Sequence, residues 1–236
     1  MLNVYAHERT ADDFICTAYS KEVLLEKVQP AIIEFLKKRG LELSLEKTKI
    51  THITEGFDFL GFNVRKYGRK LLIKPSGSSI KKFTESIRET IKKLGNSLTV
   101  KLIACLNSKI RGWANYYRSC VAKETFNNID TVAFESIWRM LKKKHPNKNI
   151  SWIRCKYFTN IGQRNWCFFC NVSTKKGVKS YTLTKARDVK IRRHIKIKGK
   201  ANIFDQDFED YFIERENKRK MERMNSRIVN NNLKRA

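Results

Sequence analysis

Residues 98–118 read LTVKLIACLNSKIRGWANYYR, and Leu98, Leu102, Leu106, Ile110, Trp113 and Tyr117 recur through them at intervals of three and four. That spacing puts all six on one face of an α-helix of about five turns, because 3.6 residues complete a turn. A helix with such a stripe needs apolar partners, and the flanking sequence supplies them. Upstream, Ile80, Phe83, Ile87 and Ile91 form a second stripe, with Ser78 and Ser79 available as N-caps and Gly95 as a stop. Downstream, Phe134, Ile137, Trp138 and Leu141 form a third, which ends before His145-Pro146 because proline disfavours helix at the residue preceding it. The pattern predicts a small helical bundle over residues 78–145.

Working outward, the periodicity changes. Residues 47–76, KTKITHITEGFDFLGFNVRKYGRKLLIKPS, alternate apolar and polar side chains around Glu55-Gly56 and Tyr67-Gly68, which predicts short antiparallel strands joined by tight turns. Before them, Val23, Leu24, Val28, Ile32, Phe35 and Leu36 mark one amphipathic helix from Lys21 to Arg39, with Gly40 placed as a left-handed C-terminal cap. Beyond the bundle, NWCFFCNV (165–172) and KSYTLT (179–184) lean towards strand, and 209–227 reads as an exposed charged helix. The expected class is α+β, with three domains at 1–75, 76–148 and 149–236.

Charge narrows the function. Fifty Lys and Arg against 23 Asp and Glu give +27 in 236 residues, a balance suited to a polyanion such as nucleic acid. Residues 1–60 carry 8 basic and 10 acidic residues, whereas residues 137–200 carry 19 basic residues and the single acid Asp188. Trp138, Trp152, Tyr157, Phe158, Trp166, Phe168, Phe169 and Tyr181 interleave with that charge, and low-complexity basic tails lack such aromatics. A folded basic surface is expected. Lys142, Lys143 and Lys144 lead into it, and KIRRHIKIKGK (190–200) alternates Ile191, Ile195 and Ile197 with Arg192, Lys196 and Lys198, as a strand with one apolar and one basic face would.

No run of about 20 apolar residues and no signal-peptide pattern occurs, so no membrane partner is expected. Six scattered cysteines lack the density of a secreted disulfide framework. Cys167 and Cys170 make one Cys-x-x-Cys, with Cys155 and His194 as conceivable further ligands, but a second pair is missing and no zinc is expected. Asp12 and Asp13 are different. Two adjacent carboxylates suit Mg²⁺, a hard cation bound through one or two carboxylates plus substrate phosphates.

Taken in order, RTADDFICTAYSKE (9–22), LSLEKTKI (43–50), Phe59-Leu60-Gly61-Phe62 and Arg111-Gly-Trp-Ala-Asn-Tyr-Tyr117 resemble the group II intron reverse transcriptase and maturase family. The resemblance covers about Arg9 to Arg215. Ala11, Asp12 and Asp13 fall on the last three positions of that family's Tyr-Ala-Asp-Asp metal loop, with Thr10 at the tyrosine position. It implies a partial polymerase palm with Mg²⁺ at Asp12 and Asp13, and a primer-grip-like turn at Phe59, Leu60, Gly61 and Phe62. It further implies a helical thumb, also called domain X, and a basic C-terminal extension. The implied partner is intron RNA, with a DNA target as a second. Candidate RNA-binding residues are Arg111, Trp113, Asn115, Tyr116, Arg118, Lys142, Lys143, Lys144, Lys156, Arg164, Arg192, Arg193, Lys196 and Lys198. His-Asn-His endonuclease residues, which some members carry, are not found.

The family places fingers, early palm and a first catalytic aspartate before its metal loop, where this chain has ten residues. Two-metal chemistry needs ligands from more than one strand, so an inactive polymerase remnant that retains maturase function is the first expectation. The alternatives are half of a split reverse transcriptase, active when the N-terminal half is supplied in trans, and a stand-alone RNA-binding splicing factor. The N-terminus lacks an Arg- and Ser-rich transit pattern, which points to a bacterial cytoplasm and leaves an organellar setting open.

Overall fold

The structure is a computed structural model and describes residues 3–6, 14–44, 46, 48–174, 177–193, 197–199 and 201–235. Asp12, Asp13 and Lys196, three of the expected site residues, lie outside the described residues, as do His194 and Ile195. Residues 1–193 form one compact unit and 194–236 a second, each described by itself below.

Strand β1 (Asn3–Ala6) lies between β2 (Ile15–Ala18) and β3 (Lys49–His52), antiparallel to both, with Tyr5 opposite Cys16 and Ile50. Between β2 and β3 the chain is helical through α1 (Lys21–Val23), a π-helical turn (Leu24–Val28) and α2 (Gln29–Lys37). Ser20 caps the start by accepting the Val23 N–H, and Leu24 is fully buried. Gly40, at φ +70°, takes the left-handed position that ends the helix.

A second antiparallel sheet runs β4 (Phe57–Phe59), β5 (Phe62–Tyr67) and β6 (Lys70–Pro75). Leu60 (φ 48°) and Gly61 (φ 79°) form the two-residue turn between β4 and β5. Positive φ at both central residues is the signature of a type I′ turn, whose twist matches the flanking strands.

Helices α3 (Gly77–Leu94), α4 (Thr99–Tyr117) and α5 (Lys123–Lys144) form the expected bundle, with Ile87, Leu102, Leu106, Ile110, Phe126, Ile129, Ile137 and Leu141 buried. Two details correct the sequence reading. Ser76, not Ser78 or Ser79, is the N-cap of α3: it stays extended after Pro75 and its Oγ accepts the Ser79 N–H. Leu98 is 76% exposed because it sits at the N-cap of α4, so the buried stripe starts at Leu102. Lys109 crosses from α4 to α3, donating to Ser86 Oγ (2.7 Å) and Thr90 Oγ1 (2.8 Å).

The segment after α5 packs on the bundle. It comprises α6 (Ile150–Tyr157) and the antiparallel sheet β7 (Phe158–Ile161), β8 (Arg164–Thr174) and β9 (Gly177–Thr182). Ile153, Tyr157, Phe158, Phe168 and Ala186 join the same core as the helices. Two polar clamps hold the chain leaving β9. Asn107 donates to Thr182 O and accepts from Thr184 N, while Asp130 accepts the Ala186 and Arg187 N–H groups.

The basic strand expected at 190–200 is not formed at its described residues. Ile191 instead packs against the bundle core, and the Arg192 N–H donates to Arg118 O (2.8 Å) rather than to a ladder. In the second unit, α7 spans Glu209–Arg235 with its described side chains mostly exposed, and the Lys198 N–H donates to Tyr211 Oη. Among the described residues no helix is long and apolar enough to cross a membrane.

Candidate RNA interface

The two most distinctive sequence motifs meet each other. Tyr116 and Tyr117, at the end of α4, reach the Leu60-Gly61 turn: Tyr116 Oη donates to Leu60 O (2.9 Å) and Tyr117 Oη to Gly61 O (3.1 Å). Tyr117 has one hydroxyl proton, already given to Gly61 O, so Ser79 is the donor in the 2.6 Å contact between Ser79 Oγ and Tyr117 Oη. Gly61 O also accepts the Ser76 N–H, which fills both lone pairs. Phe62 stacks on Tyr116 with centroids 5.2 Å apart and meets Tyr117 edge-on at 5.0 Å. A Cβ at position 61 would lie 2.7 Å from Tyr117 Oη, so glycine is required by space as well as by φ. Burial raises the Tyr117 pKa, and the Ser79 hydrogen bond opposes that rise. The hydroxyl therefore stays protonated at neutral pH.

Trp113 is half-buried one turn earlier, stacked on Phe83 (4.8 Å) and in ring contact with Tyr117 (4.4 Å) and Phe126 (6.0 Å). These contacts make it part of the bundle. Arg111 and Asn115 are exposed on the opposite face, and Arg118 donates to Asn115 Oδ1 (3.3 Å), so the three form a polar ridge along α4. Spacings of four and three residues on a helix produce such a ridge.

A second surface lies around the end of α5 and the start of α6. Lys142, Lys143 and Lys144 are exposed, and Lys144 Nζ also donates to Gly95 O (3.0 Å). Lys142 approaches the Trp138 ring (5.7 Å), Lys148 and Lys156 the Trp152 ring (5.4 and 4.6 Å), and Arg154 the Trp166 ring (5.0 Å). Each cation sits within the range where a ring face attracts it. His145 completes the group, with Nε2 2.7 Å from Tyr157 Oη and its ring 5.0 Å from that of Trp152. Burial, then Lys156, Lys144 and Lys148, push its pKa below the ordinary histidine value.

Asp188, the one acid among residues 137–200, is ion-paired with Arg164. Arg164 is thus partly committed, whereas Arg193 is exposed. Lys148, Arg154 and His145 were not among the RNA-binding candidates read from sequence, and Trp152 was named only within the interleaving of aromatic and basic residues, which was the signal that pointed to this surface. Cys167 and Cys170 both lie on β8, where side chains alternate between faces. Phe168 and Cys170 face the bundle core and the buried Cys167 lies on the other face, while Cys155 is exposed on α6. Among the described residues no group of three or more His, Cys, Asp or Glu side chains is placed to hold a metal.

Fold and surface together define a basic, aromatic-rich helical bundle fastened to a β-hairpin. Comparison with known proteins makes this specific. Residues 80–158 match the group II intron maturase-specific domain, and residues 6–64 match the reverse transcriptase (RNA-dependent DNA polymerase) family. Matched in this order, the two regions support a C-terminal portion of a group II intron reverse transcriptase and maturase.

Among its relatives, the ribosomal operon-associated A protein of Euglena longa is 28% identical over 178 residues, which are 73% of this chain and 32% of that protein. The group II intron-encoded protein LtrA of Lactococcus lactis subsp. cremoris is 29% identical over 171 residues, 59% of this chain and 28% of LtrA. The chain thus spans about a third of the length of these relatives.

Proposed function

We propose that this chain binds group II intron RNA through its maturase-specific bundle and the basic segment packed on it, and assists splicing as a maturase. The observation that carries this reading is the pairing of that domain with an almost acid-free, aromatic-lined basic face, whose one acid is already ion-paired. RNA recognition relies on shape, backbone contacts and stacking, and such a face offers all three. The polar ridge of Arg111, Asn115 and Arg118 is a second contact region. The test is binding of the purified chain to a group II intron RNA across a salt series with bulk RNA as competitor, paired with a splicing assay at limiting Mg²⁺. The expected result is a salt-dependent affinity that survives competition and faster splicing. Binding that bulk RNA abolishes, without faster splicing, overturns the proposal.

A second reading is favoured by the apolar residues Leu25, Ile33 and Phe35, which are exposed along the α1–α2 helical segment. In it, these residues, which lie on more than one side of the helix, are covered by a fingers-and-palm polypeptide supplied in trans, and the pair forms a reverse transcriptase acting on intron RNA or a DNA target. Asp12 and Asp13 fit Mg²⁺ by the chemistry of their donors, and the ion would supply charge neutralisation for phosphoryl transfer. Primer extension that appears only on mixing the two polypeptides supports this reading; extension by neither the mixture nor the chain alone removes it.

A further inference from the structure

The corner between α5 and α6 holds an open cleft of about 570 Å³, lined chiefly by Lys142, His145, Pro146, Lys148, Asn149 and Ser151. No carboxylate lines it, and residues 137–187 contain none. Among the described residues, the cations around it have no carboxylate partner: Lys142, Lys148 and Lys156 lie against tryptophan rings, and Lys144 donates to a backbone carbonyl. His145 sits among them. Lys144 flanks it on α5, Lys148 on the connecting loop, and Lys156, Tyr157 and Trp152 face it from α6.

Proton logic makes this histidine unlike the lysines. In the neutral ring, the contact with Tyr157 can be donated from either side. In the cation, both ring nitrogens carry protons, so Nε2–H donates to Tyr157 Oη and Nδ1–H becomes a further donor. Surrounding lysines oppose that second proton while the cleft is empty of charge. An entering anion removes the opposition, because opposite charge within a few ångströms favours the charged form.

We propose that this cleft seats a backbone phosphate of RNA between Lys142 and Lys148, and that His145 takes up a proton as the phosphate enters, so that RNA binding is linked to pH. The inference rests on the RNA-binding reading above and adds to it a site, a ligand group and a proton. The depressed pKa of the free histidine fits this arrangement, since it leaves a proton to be gained at near-neutral pH.

The test uses the full chain and a short unstructured oligoribonucleotide, with affinity measured by fluorescence anisotropy at constant ionic strength. If the His145 pKa rises by about one unit on binding, affinity rises by up to about tenfold as pH falls from about 7.5 to about 5.5. H145Q keeps a polar group for Tyr157 and removes the proton, so it loses that increment. A K142E/K148E variant weakens binding at every pH and leaves no His145-dependent increment. Histidine NMR then reads the site directly, with the His145 resonances assigned by their loss in H145Q and a pKa that moves upward on adding RNA. Inorganic phosphate, titrated alone, is expected to move it in the same direction.

A pH dependence equal in wild type and H145Q, or a His145 pKa that RNA does not move, overturns the inference while leaving the maturase reading intact. Absence of salt-dependent RNA binding by the wild-type chain overturns both. Thermal melts of each variant by circular dichroism separate loss of binding from loss of fold.

Discussion

The hairpin latch and the α5–α6 corner are both built from aromatic rings and polar contacts on the same helical bundle, yet they face in opposite chemical directions. In the latch, Tyr116, Tyr117, Ser79 and the Leu60-Gly61 carbonyls satisfy one another, and the group is electrically neutral. In the corner, lysines and an arginine lie against Trp138, Trp152 and Trp166 with no carboxylate partner among the described residues, and the charge stands open. A motif that is easy to recognise is therefore not the same thing as a binding surface. The Arg111–Tyr117 motif spends Trp113 and Tyr117 on architecture, and the residues proposed here to meet RNA at the corner lie where the sequence has no signature beyond composition.

The comparison makes unequal demands on substitutions, and the largest effect is expected at the corner. Replacing Lys142, Lys148 and Lys156 together by glutamate should weaken intron RNA binding by about a hundredfold or more, and flatten the log–log salt slope by about two to three, close to one per lost phosphate contact. The melting temperature should hardly change, because these side chains are exposed. A collapse of stability with no change in salt slope would make the corner structural and erase the contrast.

In the latch the order reverses. Gly61→Ala places a Cβ 2.7 Å from Tyr117 Oη at a φ of +79°, so the hairpin must shift or the tyrosine must leave. Left-handed strain alone costs about 1–2 kcal/mol, and the lost hydrogen bonds add about 1 kcal/mol. Amide hydrogen exchange should report it as faster opening over residues 57–75, with RNA affinity within a few-fold of wild type. Smaller still, Tyr117→Phe leaves Ser79 without its acceptor and should cost about 1 kcal/mol by denaturant titration. Tyr116→Phe should cost about half of that, since the residue is 53% exposed and water can replace the lost partner at Leu60 O. Equal costs would mean that the two hydroxyls work as one unit.

Much of this was legible in the residues. Helical stripes placed α3 and α4 to within a few positions and found the C-terminal half of α5, whose start at Lys123 the stripe from Phe134 missed, because an apolar period of 3.6 survives whatever the helices pack against. Alternation found the strands of residues 49–75 for the same reason. The misses share a cause. Ser76 caps α3 because Pro75 ends β6, and Ile191 is core rather than strand because the bundle offers it a surface; both depend on neighbours distant in sequence or on the geometry of the preceding element. The latch was half legible. Each motif could be read, but that Gly61 must be glycine to admit Tyr117 is a contact 56 residues apart in the chain. At the corner, charge and aromatic content announced a surface, and only the fold brought His145 against Tyr157 and Trp152.

The smallest expected effect is on stability as a function of pH, and it is expected at the corner alone. His145 has a folded-state pKa below its ordinary value, first through burial and then through Lys156, Lys144 and Lys148. Between the folded value and about 6.5 the unfolded chain binds more protons than the folded one, so stability rises with pH across that window. The contribution is fully present above the unfolded pKa and is lost as pH falls through the folded one. The latch offers no counterpart, because Tyr117 is shifted upward and stays a neutral phenol through the whole range. Denaturant midpoints of wild type, G61A and H145Q from about pH 5 to about pH 8 should therefore give parallel curves for the first two and a flatter one for H145Q. Saturating the corner with RNA should flatten the wild-type curve as well, since the anion that raises the His145 pKa removes the reason for its pH dependence. If instead G61A flattened the curve and H145Q did not, the titrating group would lie at the latch, and the division between a neutral fastening and a charged, ligand-seeking corner would have to be given up.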